Sequence, residues 1–178
     1  MKYYIGMACI MALSACTGAA KKQSVAVDST AVVATAAAGR NVVLTDPKVQ
    51  GIYDHYLLLK NALVASNYDA AKTASTSLAQ KLSTYEGCEN TALIANKIAT
   101  AKDLVDQRRE FTYLSSDVIA MFKHASIEKG VIFVEHCPMA NNGDGGDWLA
   151  AEKKINNPYY GKEMLECGSV VEELKAVK

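Results

Sequence analysis

Soft donor atoms cluster in the last third of the chain. His136-Cys137-Pro138-Met139 is followed by Met164-Leu165-Glu166-Cys167-Gly168. Thiolate and thioether sulfur prefer soft monovalent ions such as Cu(I) and Ag(I). The Cys137-x-Met139 spacing brings two donors to one ion where the chain bends at Pro138, and Met164 and Cys167 share one face if they sit on a helical turn. Together the segments would form a pocket of Cys137, Met139, Met164 and Cys167, with His136 in reserve. A second chemistry is open to the same residues. In an oxidising compartment Cys137 and Cys167 can form a disulfide, worth about 3–4 kcal/mol for this loop length in the chain-entropy model. Met139 and Met164 would then be ordinary core fillers. Taken alone, the residues favour the disulfide by a small margin. Cys88 is the candidate for the cysteine left over, since three cannot all pair within one chain.

Other chemistries find little support. No Ser-His-Asp arrangement, no Gly-rich loop between strand and helix and no His-x-x-x-His helix is present. Cys137 and His136 are neighbours on an expected strand and point to opposite faces, which argues against a nucleophile and its base. His55 and His124 read as half-buried or surface residues. Asn141 to Asp147 is rich in Asn and Asp but lacks EF-hand spacing and a bidentate Glu, so a plain turn is expected. The expectation is a non-enzymatic protein. With 19 basic and 19 acidic side chains and no basic block, nothing would steer nucleic acid to it.

The elements that must position these donors begin with an export signal. One basic residue, Lys2, precedes the apolar run Ile5 to Leu13 and the small residues Ser14-Ala15. That run is too short to span a bilayer and reads as a signal peptide, residues 1–15. Leu13-Ser14-Ala15-Cys16 matches a lipobox, so Cys16 is the expected lipidation site and the membrane anchor. Thr17 is not the Asp that usually retains lipoproteins in the inner membrane, which points to the periplasmic face of the outer membrane. Residues 16–44 are small, repetitive and free of aromatics, and read as a flexible tether. Residues 45–178 are enough for one domain with a core.

That domain is expected to be mainly α: a small antiparallel bundle of three or four helices, then a short β-hairpin and a C-terminal loop or helix segment. Asp46-Pro47 starts the first helix. Val49, Ile52, Tyr56, Leu59 and Leu63 form its apolar face. Ser66-Asn67 ends it and caps the second, whose stripe is Ala71, Ala74, Leu78, Leu82 and Tyr85. Gly87-Cys88-Glu89-Asn90 is a turn. Ile94, Ile98, Ala101 and Val105 mark a third run, and Phe111, Leu114, Val118, Met121 and Ala125 a fourth. These two are either one long helix or two meeting near Gln107-Arg108-Arg109. Val131-Ile132-Phe133-Val134 is a strand, and Trp148-Leu149 its return.

Several pieces together resemble a known family. They are Tyr53-x-x-Tyr56-Leu57-x-Leu59-Lys60-x-Ala62-Leu63-Val64, Arg108 or Arg109 with Phe111-x-x-Leu114-Ser115, Cys137-Pro138-Met139-Ala140, Trp148-Leu149, and Asn157-Pro158-Tyr159-Tyr160-Gly161-x-x-Met164-x-x-Cys167-Gly168. The set resembles a bacterial domain of unknown function found alone on lipoproteins and at the ends of periplasmic adaptor subunits of copper and silver efflux pumps. The resemblance covers nearly all of residues 45–170 and implies heavy-metal handling, with an efflux-pump adaptor or another envelope protein as partner. It raises a Cu(I) or Ag(I) site at Cys137, Met139, Met164 and Cys167 above the bare disulfide. Cys-Pro-Met also resembles short copper-linked modules that continue with His. Ala140 stands there instead, so that ligand does not carry over. The alternative is a disulfide-stapled, non-enzymatic interaction domain presenting Trp148, Tyr159 and Tyr160 to another envelope protein.

Overall fold

The computed structural model describes residues 41–176. The expected signal peptide, Cys16 and nearly all of the tether lie outside the described residues. A two-residue strand, β1 (Val43–Leu44), leads into helix α1 (Pro47–Val64). Asp46 is extended and its carboxylate accepts from the Lys48 N–H at 2.7 Å, while Pro47 brings no N–H needing a partner. At the other end Ser66 turns left-handed (φ 53°), and the Ser66 and Asn67 N–H groups donate to the Leu63 and Ala62 carbonyls. Asn67 then caps α2 (Tyr68–Leu82) by accepting from Ala70 N–H at 3.0 Å. Both helix starts are those the residue types dictate.

Next along the chain come α3 (Glu89–Thr100) and α4 (Leu104–Phe122). They part at residues 101–103, ahead of Gln107-Arg108-Arg109, because Asp103 takes the cap position and accepts from Asp106 N–H at 2.8 Å. An Asx side chain that satisfies a free helix N–H starts a new helix even with no Gly or Pro nearby. The break takes Val105 off the stripe of the preceding run. Val105, placed by periodicity on a buried stripe, is exposed, while Gln107 and Phe111 are fully buried.

The four helices bury the expected faces, from Ile52, Tyr56, Leu59 and Leu63 on α1 to Phe111, Leu114 and Val118 on α4. Two small antiparallel sheets complete the fold. β2 (Ile127–Lys129) pairs with β1. The second sheet has the order β4-β3-β5, with β3 (Val131–Cys137) between β4 (Gly146–Ala150) and β5 (Ser169–Lys175). The hairpin is as expected. The third strand is not, since Glu172-Glu173-Leu174-Lys175 reads equally well as helix. A free edge of β3 decides it, and burial alternates along β5 as on any half-covered strand.

Tyr56 joins helices to sheet. Its hydroxyl lies 2.6 Å from Ser115 Oγ on α4 and accepts from the Leu149 N–H of β4 at 3.1 Å. A chain of rings runs from Tyr56 through Phe111 and Tyr159 to Trp148, with centroids 5.6, 5.8 and 6.0 Å apart. Trp148 and Tyr159 are thus core residues, and the contact surface expected of them does not form; Tyr160 is half-buried. No helix among the described residues is long and apolar enough to cross a membrane.

Candidate functional site

Cys137 is the last residue of the central strand, opposite Gly146 of β4, and its side chain is fully buried. Cys167 approaches from the loop that precedes β5 and is half-buried. The two sulfurs lie 2.9 Å apart. This is closer than the ~3.5–4.0 Å optimum of unbonded heavy atoms and longer than the ~2.05 Å of a disulfide.

The approach is built by residues of the C-terminal motif. Asn157, fully buried, accepts from the N–H groups of Tyr159 and Tyr160 and donates to the Cys167 carbonyl at 2.9 Å. Gly161 (φ 58°) passes so close to Ser66 and Arg108 that a Cβ would fall within 2.9 Å of both. Arg108 fixes that passage by donating to the Pro158 and Leu63 carbonyls and to Ser66 Oγ. Gly168 (φ 142°) brings the chain to β3, where a Cβ would meet the His136 carbonyl at 2.8 Å and the Trp148 ring at 3.0 Å. Only glycine allows the residue after Cys167 to lie there.

Met139 follows Cys137 by two residues, Met164 precedes Cys167 by three, and both are exposed. Met139 is 53% exposed and Met164 37% exposed, so neither fills the core. The Tyr160 hydroxyl donates to the Met139 carbonyl, and the Cys167 N–H donates to the Met164 carbonyl at 3.1 Å. Met164 comes after the short 3-10 turn Gly161–Glu163 in a non-helical conformation, so the expected helical turn shared with Cys167 does not form. Its place beside Cys167 comes from that carbonyl bond instead.

His136 stands apart from the sulfurs. Strand alternation turns its ring away from Cys137, and Nδ1 lies 2.7 Å from Asp147 Oδ1. Cys88 is also remote, with its thiol 3.9 Å from Met121 Sδ between α3 and α4. Burial, with Glu89 and Asp117 adding to it, pushes the Cys88 thiol up. The Cys167 thiol is raised by its hydrogen bond with Cys137 and by burial, and the Met139 backbone N–H works the other way. Among the described residues no group of three or more His, Cys, Asp or Glu could hold a metal ion. Any metal here would need the thioethers.

A buried acid that pattern reading passed over sits two residues upstream on the same strand face. Glu135 is fully buried, and neither carboxylate oxygen completes a hydrogen bond. Burial pushes its pKa up to about 7. The Trp148 indole N–H, also short of a well-formed bond, and the Lys60 ammonium pull it down, while Glu152 adds to the rise. Lys60 is itself only 1% exposed and reaches Glu152 at 3.6 Å. A charged residue directly after Val131-Ile132-Phe133-Val134 is the one signal that could have found it.

A separate open groove of about 760 Å³ runs between α4 and the 141–145 loop, lined by Arg109, Tyr113, Asn142 and Tyr160 among others. None of the four sulfurs lines it.

Residues 52–130 match a family model described as a protein of unknown function (DUF3347). The match spans most of α1 through β2 and stops just before β3, so both sulfur motifs lie outside it. No curated protein and no solved structure matches the chain.

Proposed function

We propose that this chain is a lipid-anchored envelope protein whose domain binds a soft monovalent ion, Cu(I) or Ag(I), and buffers it or delivers it to an efflux system. Cys137 and Cys167 supply thiolates, and Met139 and Met164 supply thioethers, in reversible coordination with no covalent turnover. The observation that carries this reading is the 2.9 Å sulfur pair together with an exposed methionine two residues from Cys137 and another three residues from Cys167. Exposed thioethers add nothing to a core, but beside paired thiols they complete a soft donor set. With metal–thiolate bonds of ~2.3 Å and near-tetrahedral angles, the sulfurs would stand ~3.8 Å apart. The pair would have to open by about 0.9 Å, and Cys167, on a loop, is the side able to move. The lipobox at Cys16 and the absence of Asp at position 17 support anchoring at the outer membrane, facing the periplasm.

The same distance favours a second reading, a disulfide that staples the last segment to β3. Its interaction surface loses support, because Trp148 and Tyr159 are buried.

Titration of the reduced full chain with Cu(I) against a moderate-affinity chromophoric chelator tests the metal reading. About one ion per chain is expected. A Cys137→Ser, Cys167→Ser double variant that keeps its helical circular dichroism should take up none, and Cys88→Ser should behave as the parent. No uptake by the reduced parent chain would refute the metal reading.

A further inference from the structure

Cys137 and Cys167 are free thiols whose sulfurs lie 2.9 Å apart. Closing from 2.9 Å to ~2.05 Å makes a disulfide, and opening to ~3.8 Å admits a metal ion. Each needs a shift of about 0.9 Å, which a side-chain rotation and a small loop movement supply. The two sides of the pair are unequal. Cys137 belongs to the middle strand and has no exposed surface. Cys167 is half-buried on a loop, held by its N–H to the Met164 carbonyl and by Asn157 on its own carbonyl. An incoming thiol or disulfide therefore meets Cys167 first. The half-buried Cys167 leaves one end of the bond accessible, and accessible disulfides are the labile ones. Cys88, in contact with Met121, is in no position to resolve the exchange.

We propose that Cys137 and Cys167 form a reversible dithiol–disulfide switch, metal-binding when reduced and closed to metal when oxidised. The gating half rests on the soft-metal reading above; the exchange half does not. Oxidation uses a low-molecular-weight disulfide as co-reactant. The Cys167 thiolate attacks one sulfur of that disulfide, forming a mixed disulfide and expelling a thiolate. Cys137 gives its proton to that thiolate and attacks the Cys167 sulfur, expelling the second thiolate, which takes a proton from water. Two protein thiols are oxidised and one external disulfide is reduced to two thiols. The reverse sequence reopens the site, again through Cys167.

The single tryptophan offers a built-in reporter. Trp148 packs beside Gly168, the residue after Cys167, and disulfides quench nearby indoles. The full chain would be equilibrated in glutathione buffers from fully reduced to fully oxidised, with the bond located by differential alkylation and mass spectrometry. The Cys137–Cys167 bond should form and disappear with the buffer, Trp148 fluorescence should fall and recover with it, and Cu(I) uptake should drop to background in the oxidised form. Cys88→Ser should preserve all three responses, and Cys167→Ser should abolish them. A bond that survives excess reduced glutathione, or never forms in excess oxidised glutathione, overturns the switch. Uptake unaffected by oxidation overturns the gating. A bond that interconverts while the reduced chain takes up no Cu(I) would refute the metal reading and leave the exchange standing.

Discussion

The helical part of this domain and its C-terminal sheet are built on different terms. In α1 to α4 the buried side chains are apolar or neutral apart from Lys60, with Gln50, Ser75, Thr91, Gln107 and Ser115 among them, and three of the four helix starts carry a local cap: Asp46, Asn67 and Asp103. In the sheet and the loops around it, burial extends to Glu135, Asn157 and two facing cysteines, with Lys60 of α1 drawn alongside. One half uses its interior for cohesion. The other holds a buried carboxyl group and two facing thiols, groups open to protonation and oxidation. Stability and chemistry are thus divided between neighbouring parts of one core, and Tyr56, Phe111 and Tyr159 join them.

The largest effect should come from breaking that joint. Phe111 is fully buried and touches Tyr56 on one side and Tyr159 on the other. Phe111→Ala should cost about 3–5 kcal/mol in urea unfolding, with both halves lost in one transition. Separate transitions for helices and sheet would break the picture of a shared core.

Protons should distinguish the halves next. The folded pKa of Glu135 is raised from 4.5 to about 7, so the folded state holds this proton more tightly than the unfolded chain. Stability is then greatest below the unfolded value and falls as pH rises from 4.5 through about 7. The loss is of the order of 3 kcal/mol. Glu135→Gln, which stays neutral, should remove that slope and be the more stable protein at pH 8 in chemical denaturation. An unchanged slope would mean that Glu135 is solvated.

A smaller change should affect the sheet side alone. Gly168→Ala places a Cβ against the His136 carbonyl and the Trp148 ring in a backbone conformation that suits glycine. A cost of about 1–3 kcal/mol is expected. Helical circular dichroism should persist while Cys137–Cys167 disulfide formation is lost. A variant that still forms the bond at the parent rate would show that the close passage of Gly168 does not set the sulfur distance.

Much of the helical part was legible because its signals are local. Asp46-Pro47 and Ser66-Asn67 act through N–H groups one to four residues away, and the Ile52-Tyr56-Leu59-Leu63 spacing needs only the pitch of a helix. The misplaced boundary at residues 101–103 also has a local cause, since Asp103 is a cap with no Gly or Pro to announce it. The site was legible only as a list of donors. Sequence paired Cys137 with Cys167 as candidates but left Met139 and Met164 equally plausible as core, whereas both are exposed. It also offered His136 as a reserve ligand, although strand alternation already turns it from Cys137.

By itself the sequence determined the starts of the first two helices, most of the faces the helices bury and where the soft donors lie. These rest on hydrogen bonds and periodicities that span a few residues. Tertiary structure alone decided that Ser169–Lys175 becomes a strand, that Trp148 and Tyr159 are buried, that Glu135 loses its water and that two sulfurs 30 residues apart stand 2.9 Å from each other. Each depends on which segment fills the space beside β3. That outcome is set by the Arg108, Asn157 and Gly161 contacts between distant parts of the chain, which no local pattern encodes.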